Sequence, residues 1–266
     1  MNILDKIIAY KKEEVKNKKS KVKIEELKDS QFFSRETLSL REYLLDESKT
    51  GIIAEFKRKS PSKGIINDNA DVVKITNAYS TFGASGLSVL TDENFFGGSK
   101  EDLLKARVNN TPILRKDFMI DAYQFYEAKA IGADVILLIA ACLTPTQVKE
   151  FAALSKELGL EVLLEIHNEE ELEHICSDVD FVGVNNRNLK TFEVDINTSL
   201  QLYPHIPKDK LAIAESGISN TDTIVTLKEA GFKGFLIGEN FMKQPDPTIA
   251  FAEFVKTLQT SLKGGL

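Results

Sequence analysis

The stretch GIIAEFKRKS (51–60) is an apolar run that finishes on Glu55, Lys57, Arg58 and Lys59. Glu55 and Lys57 stand two apart, so on a strand their side chains share one side. A carboxylate beside an amine is a pair able to give and take protons. The ending recurs along the chain. ILRKDF (113–118) stops on Lys116, EVLLEIH (161–167) on Glu165, FVGVNNRNL (181–189) on Asn185 and Arg187, and LAIAESGIS (211–219) on Glu215 and Ser216. Any single ending is accounted for by a strand meeting solvent. Acids and bases at all of them point to proton-transfer chemistry at a common rim.

Such a rim needs elements to build it. Apolar runs at 51–56, 86–90, 112–115, 134–139, 161–165, 181–184, 211–214 and 234–237 are short and rich in Val, Ile and Leu, as strands covered on both faces must be. Helical spacing separates them. In TPTQVKEFAALSKELG (144–159), Val148, Phe151, Ala152, Leu154 and Leu158 fall on one side, Thr144 and Pro145 suit the first turn and Gly159 the stop. FGASG (82–86), IGAD (131–134) and AGFKG (230–234) end their helices the same way. Strand and helix alternating eight times over about 215 residues favour a closed α/β (β/α)8 barrel, with a doubly wound open sheet as the alternative. Residues 1–45 precede the rhythm and read as an N-terminal extension of one or two extra helices over an end of the barrel. The basic run KKEEVKNKKSKVK (11–23), broken by glutamates, reads as a solvated helix face. The whole chain, 1–266, reads as a single domain with no fused pathway domain.

Totals exclude several classes. A net charge of −6 argues against a nucleic-acid surface. Cys142 and Cys176 are isolated, and His167, His174 and His205 have no metal-ligand spacing, so neither a disulfide framework nor a metal site is expected. No apolar run reaches membrane-spanning length, and a reducing cytoplasm fits two unpaired cysteines.

Two glycine turns follow the last two strands, in ESGIS and in LIGENF (236–241), where a barrel commonly binds phosphate. SPSKG (60–64) adds a hydroxyl and a lysine from the first loop. Together they suit a small phosphorylated substrate.

The motifs IIAEFKRKSPSKG, LTDENFFGGS, ILRKDFMID, LLEIH, GVNNRNL, AESGIS and LIGENFM resemble those of the indole-3-glycerol-phosphate synthase family, in order and spacing over roughly residues 50 to 242. The resemblance implies a TIM barrel and a carboxy-lyase of tryptophan biosynthesis that needs no metal or organic cofactor. It closes the ring of 1-(2-carboxyphenylamino)-1-deoxyribulose 5-phosphate with loss of carbon dioxide and water. By resemblance Lys116 is the general acid, and Glu165 and Asn185 stabilise positive charge at the anilino nitrogen. Lys57 and Glu55 serve the dehydration, and Glu215 and Ser216 match further active-site positions. Arg187 grips the substrate carboxylate, Phe96 and Phe118 flank its ring, and Ser60 with the backbone at Gly217, Gly238 and Glu239 holds the phosphate. Two nearby lysines should lower the proton affinity of at least one, an effect nearby glutamates oppose. Residues 57–69 read as a lid or as an ordinary surface loop. A Schiff-base aldolase and a non-catalytic phosphate-binding barrel are the rival readings.

Overall fold

The computed structural model describes residues 3–264; the expected domain span of 1–266 includes residues 1, 2, 265 and 266, which lie outside the described residues. Among these, eight strands close into one parallel barrel. They are β1 Ile52–Phe56, β2 Gly86–Leu90, β3 Ile113–Lys116, β4 Val135–Ile139, β5 Glu161–Ile166, β6 Phe181–Asn185, β7 Leu211–Glu215 and β8 Gly234–Ile237. Each pairs with its sequence neighbours, and β8 closes on β1 through Ile52 opposite Phe235. The open-sheet alternative is therefore excluded.

Alternation along each strand divides the core in two. Ile52, Ala54, Leu87, Val89, Ile136, Leu138, Val162 and Leu164 face the surrounding helices. Ile53, Leu114, Leu137, Leu163, Ile213 and Leu236 face the barrel axis. Helix Pro145–Glu157 begins as expected, with a capping box between Thr144 and Gln147. Gly83, Gly132, Gly159 and Gly231 all take positive φ at helix ends; at Gly159 (φ 70°) this lets the chain reverse into β5 without a Cβ clash. One connection differs from expectation. After β5 the helical segment is a 3-10 helix, Glu169–His174, whose start is held by the Asn168 side chain rather than by a long apolar face.

The N-terminal segment does more than cover one end. It forms three helices, α1 Ile3–Lys21, α2 Ile24–Lys28 and α3 Leu40–Leu45. Lys19 pairs with Asp121, the Ser30 hydroxyl donates to the Ala130 carbonyl and Arg35 pairs with Asp134, so the segment descends along helix Tyr123–Ala130. At the foot of the barrel, Glu161 accepts from the Ser39 hydroxyl (2.7 Å) and the Leu40 amide (2.6 Å). Leu40 and Leu44 then plug the interior from below.

The solvated-face reading of residues 11–23 needs correction. Ile7, Lys11 and Val15, spaced by four, are all buried on one face of α1, and Lys11 is 0% exposed. Glu14 and Lys18 are half-buried and pair with Lys11 and Glu127, while Lys12, Glu13, Lys16, Lys19, Lys21 and Lys23 line the outer face.

A second buried cation faces outward from β3. Arg115 is nearly fully enclosed and donates to Glu127 Oε2 (2.6 Å), Asp117 Oδ2 (3.2 Å), the Thr91 hydroxyl (3.1 Å) and the Gln124 carbonyl (2.9 Å). Removing it would leave the buried Glu127 carboxylate, among the described residues, with only the Lys18 ammonium at 3.4 Å and Asp117 with Lys11. Arg115→Met is expected to lower unfolding free energy by about 3–5 kcal/mol, read as a reduced urea midpoint; an unchanged midpoint would refute the pairing.

Candidate active site

Four odd-numbered strands carry the same device. Two residues after the inward-facing Ile53, Leu114, Leu163 and Ile213 come Glu55, Lys116, Glu165 and Glu215. Side-chain layers in such barrels are contributed by alternate strands and are ordinarily filled by Val, Ile or Leu. Here the uppermost layer is ionisable. Even-numbered strands leave it room: a Cβ on Gly183 would stand 2.2 Å from Glu215 Oε1, and one on Gly238 would stand 2.5 Å from Glu55 Oε1.

The charges interlock. Lys116 Nζ lies 3.0 Å from Glu165 Oε2 and 2.7 Å from Glu215 Oε2. Asn185 donates to Glu165 Oε1 (3.1 Å), and Lys57 Nζ meets Glu55 Oε1 at 2.5 Å. The remaining charges of the first stretch turn elsewhere: Arg58 pairs with Asp102 (2.6 Å) and Lys59 donates to the Asn94 carbonyl (2.6 Å). Residues 57–69 form a small hairpin, pairing Lys59–Ser60 with Gly64–Ile65.

Proton affinities follow from this packing. Burial works to lower that of Lys116, but the carboxylates of Glu165, Glu215 and Glu55 outweigh it and the ammonium is held well above its ordinary range. At Lys116, then, the opposing glutamates outweigh burial, within the mixed-charge network that the sequence leads one to expect. Burial, with the Glu165 charge alongside, pushes the Glu215 carboxyl up to about 7 against the pull of Lys116. Its Oε1 is buried with no hydrogen-bond partner, which disfavours the charged form in the same direction. Glu165 goes the other way: burial opposes its ionisation, yet Lys116 and His167 hold it well below the usual carboxylate range. One ammonium between two carboxylates thus leaves one of them ready to carry a proton near neutrality.

All fourteen residues named above from sequence line one cavity of about 600 Å³. Glu55, Lys57, Lys116, Glu165, Asn185, Glu215 and Ser216 are at its floor and rim. Ser60, Phe96, Phe118, Arg187, Gly217, Gly238 and Glu239 form its sides. The Phe96 and Phe118 ring centroids are 6.0 Å apart. Ser216 (φ 65°) and Gly217 (φ 77°) turn the chain sharply off β7. The Glu239 carboxylate lies between two cations, Arg187 Nη2 (3.6 Å) and Lys63 Nζ (3.9 Å). Among the described residues, no group of three or more His, Cys, Asp or Glu side chains is placed to hold a metal ion.

A charged uppermost layer beneath an aromatic pair and a cationic rim can be compared with known proteins. The family model for indole-3-glycerol phosphate synthase matches residues 4–254. The chain belongs to this family. Its members are carboxy-lyases of tryptophan biosynthesis. An indole-3-glycerol phosphate synthase from Bacteroides thetaiotaomicron is 49% identical over 259 residues, covering 97% of this chain and 99% of the relative. Another, from Caldanaerobacter subterraneus subsp. tengcongensis, is 43% identical over 259 residues with the same coverage of 97% and 99%. Among solved structures, the tryptophan synthase A-subunit of Pyrococcus furiosus superposes with a TM-score of 0.59 at 18% identity, over 80% of this chain and 99% of that one. Tryptophan synthase subunit alpha from Legionella pneumophila gives 0.59 at 13%, over 85% and 97%. These two likenesses show the shared barrel fold.

Several residues of the cavity have no signal in the sequence. Ile3, Leu4 and Ile7 of α1, with Leu189, Phe192 and Val194 after β6, complete the apolar wall, while Lys243 adds a cation and Asn240 an amide. Ile3 and Ile7 stand four apart on α1, but nothing local says which end of the barrel that face meets. His167 has no metal-ligand spacing in the sequence, yet the fold gives it two partners. It is sandwiched, with Nε2 3.2 Å from Glu165 Oε1 and Nδ1 3.2 Å from Glu171 Oε2. Burial favours the neutral ring, but the two carboxylates push the imidazole up to about 10. The folded value lies above the unfolded one near 6.5. Its contribution is therefore fully present below about pH 6.5 and lost as pH rises through about 10. His167→Gln should lower the urea midpoint most at pH 6, with the gap to wild type closing by pH 10; a gap independent of pH would contradict the imidazolium assignment.

Proposed function

We propose that this protein converts 1-(2-carboxyphenylamino)-1-deoxyribulose 5-phosphate to indole-3-glycerol phosphate, with Lys116 as the acid of ring closure. The observation that carries the reading is the Lys116 ammonium held between Glu165 and Glu215 in the cavity that Phe96 and Phe118 line. In closure, the ring carbon bearing the carboxylate attacks the ketone carbon. A carbon–carbon bond forms and the carbonyl oxygen takes a proton from Lys116, becoming a hydroxyl. The carboxylate then leaves as carbon dioxide, and its bonding pair restores the aromatic ring. Glu165, with Asn185 donating to it, faces the positive charge that passes through the anilino nitrogen. Glu215, which titrates near neutrality, returns a proton to Lys116.

Dehydration follows at the second pair. Lys57 protonates the departing hydroxyl and Glu55 removes the carbon-bound proton, their side chains already in contact. Arg187 takes the substrate carboxylate bidentately, displacing or sharing Glu239. Phe96 and Phe118 hold the ring, and Ser216 borders the reacting end. Ser60 with the backbone at Gly217, Gly238 and Glu239 holds the phosphate, with Lys63 and Lys243 adding charge. We further place the protein in a reducing cytoplasm, on its two free cysteines, Cys142 and Cys176. The acidic net charge of −6 supports a small-molecule role over a nucleic-acid one. Residues 1–45 are assigned to the same working unit as the barrel, because α1 lines the cavity.

A Schiff-base mechanism is the less favoured reading. It needs a neutral amine, whereas three carboxylates keep Lys116 protonated.

Turnover can be followed by indole fluorescence, since the chain has no tryptophan of its own. Lys116→Ala should reduce kcat by roughly 10²- to 10⁴-fold with circular dichroism unchanged; a near-normal rate would remove Lys116 from the mechanism. Arg187→Ala should raise KM by roughly 10- to 100-fold, as for a lost charged hydrogen bond of about 1.5–3 kcal/mol. An unaltered KM would refute the carboxylate assignment.

A further inference from the structure

Lys11 is an ammonium in the interior with no part in the chemistry above. Its Nζ lies 2.9 Å from Asp92 Oδ2, 2.9 Å from Asp117 Oδ1 and 2.8 Å from Glu14 Oε2, and the Lys11, Asp92 and Asp117 side chains are all 0% exposed. Burying an ion costs several kcal/mol unless partners offset it. Anchoring a helix does not require this, since Ile7 and Val15 already bury the same face of α1. The placement of the two aspartates gives a reason.

Asp92 follows β2 and caps helix Glu93–Phe96: its Oδ1 accepts from the amides of Phe95 (2.7 Å) and Phe96 (3.2 Å). Asp117 follows Lys116, and its Oδ1 accepts from the amide of Phe118 (2.8 Å). Each aspartate therefore fixes the backbone of one of the two phenylalanines in the cavity. Both aspartates line the cavity as well. Arg115 balances Asp117 from its other oxygen (3.2 Å), but among the described residues Lys11 is the cation that touches both carboxylates and offsets their mutual repulsion. One ammonium, delivered by α1, holds both.

We propose that Lys11 is a positioning residue that sets the spacing of Phe96 and Phe118, and through it the affinity for the aromatic end of the substrate. It touches no substrate atom and acts through Asp92 and Asp117. The same helix brings Ile3, Leu4 and Ile7 to the cavity wall, so the ion contacts also register that wall against the ring slot. The proposal rests on the reading that the substrate ring sits between the two phenylalanines.

The test separates the two ends of the site. Wild type and Lys11→Met are titrated calorimetrically with 2-(methylamino)benzoate, a ring probe, and with inorganic phosphate, a probe of the opposite end. Turnover is measured alongside. Weakening of the ring probe by tenfold or more, with phosphate affinity changed less than twofold and KM rising more than kcat falls, is the expected result. Should Lys11→Met alone fail to fold, the double variant Lys11→Met/Asp92→Asn removes the stranded charge while keeping the cap oxygen, and the same split is expected. Equal ring-probe affinity in variant and wild type, or equal losses for both probes, overturns the proposal and leaves Lys11 a helix anchor. Failure of wild type itself to bind the ring probe overturns the ring assignment, and this proposal with it.

Discussion

An ammonium in a barrel interior must be neutralised where it stands, and Lys116 is neutralised by Glu165 and Glu215. The three residues come from β3, β5 and β7, which share no hydrogen-bonded edge. Only a closed barrel brings alternate strands into one layer. The charge balance of that layer also sets its chemistry. One cation between two anions leaves one carboxyl able to keep a proton near neutrality, and because His167 and Asn185 favour the ionised form of Glu165, that carboxyl is Glu215. A site able to lend and recover protons is thus a consequence of closure and charge count together.

The interior is built to tolerate that charge. Beneath the ionisable layer lie Ile53, Leu114, Leu163 and Ile213, and below them Leu40 and Leu44 seal the foot. Water is excluded from one side only. Gly183 and Gly238 give up side chains so that the Glu215 and Glu55 carboxylates can lie within the barrel. Gly238 therefore acts twice, clearing room for a carboxylate and lending its backbone to the cavity. Around this centre the N-terminal segment runs from mouth to foot, contributing apolar wall at one end and a plug at the other.

Much of the site could be read along the chain because strand ends in such barrels are also site positions. Glu55, Lys57, Lys116, Glu165, Asn185, Arg187, Glu215 and Ser216 each follow an apolar strand body, and alternation says which of them face inward. Family motifs supplied Phe96 and Phe118, for which no periodicity argues, and gave Ser60 of the first loop its phosphate-binding place. Lys11 was misread for a physical reason. A lysine in a basic run is ordinarily solvated, and its burial depends on Asp92 and Asp117, far away in sequence. His167 was passed over for the same cause, since its meaning comes from Glu165 and Glu171 closing on both ring nitrogens.

Local chemistry in the chain was sufficient to specify the strand and helix rhythm, the left-handed glycine stops and the inward direction of each strand-end charge. These depend on neighbours within a few residues and on a fixed side-chain period. The partners of each charge were decided only by the tertiary structure: which carboxylate holds a proton, which lysine is buried, and which end of the barrel α1 meets. Electrostatic energy depends on distance and on local polarisability, and neither is defined until the barrel has closed.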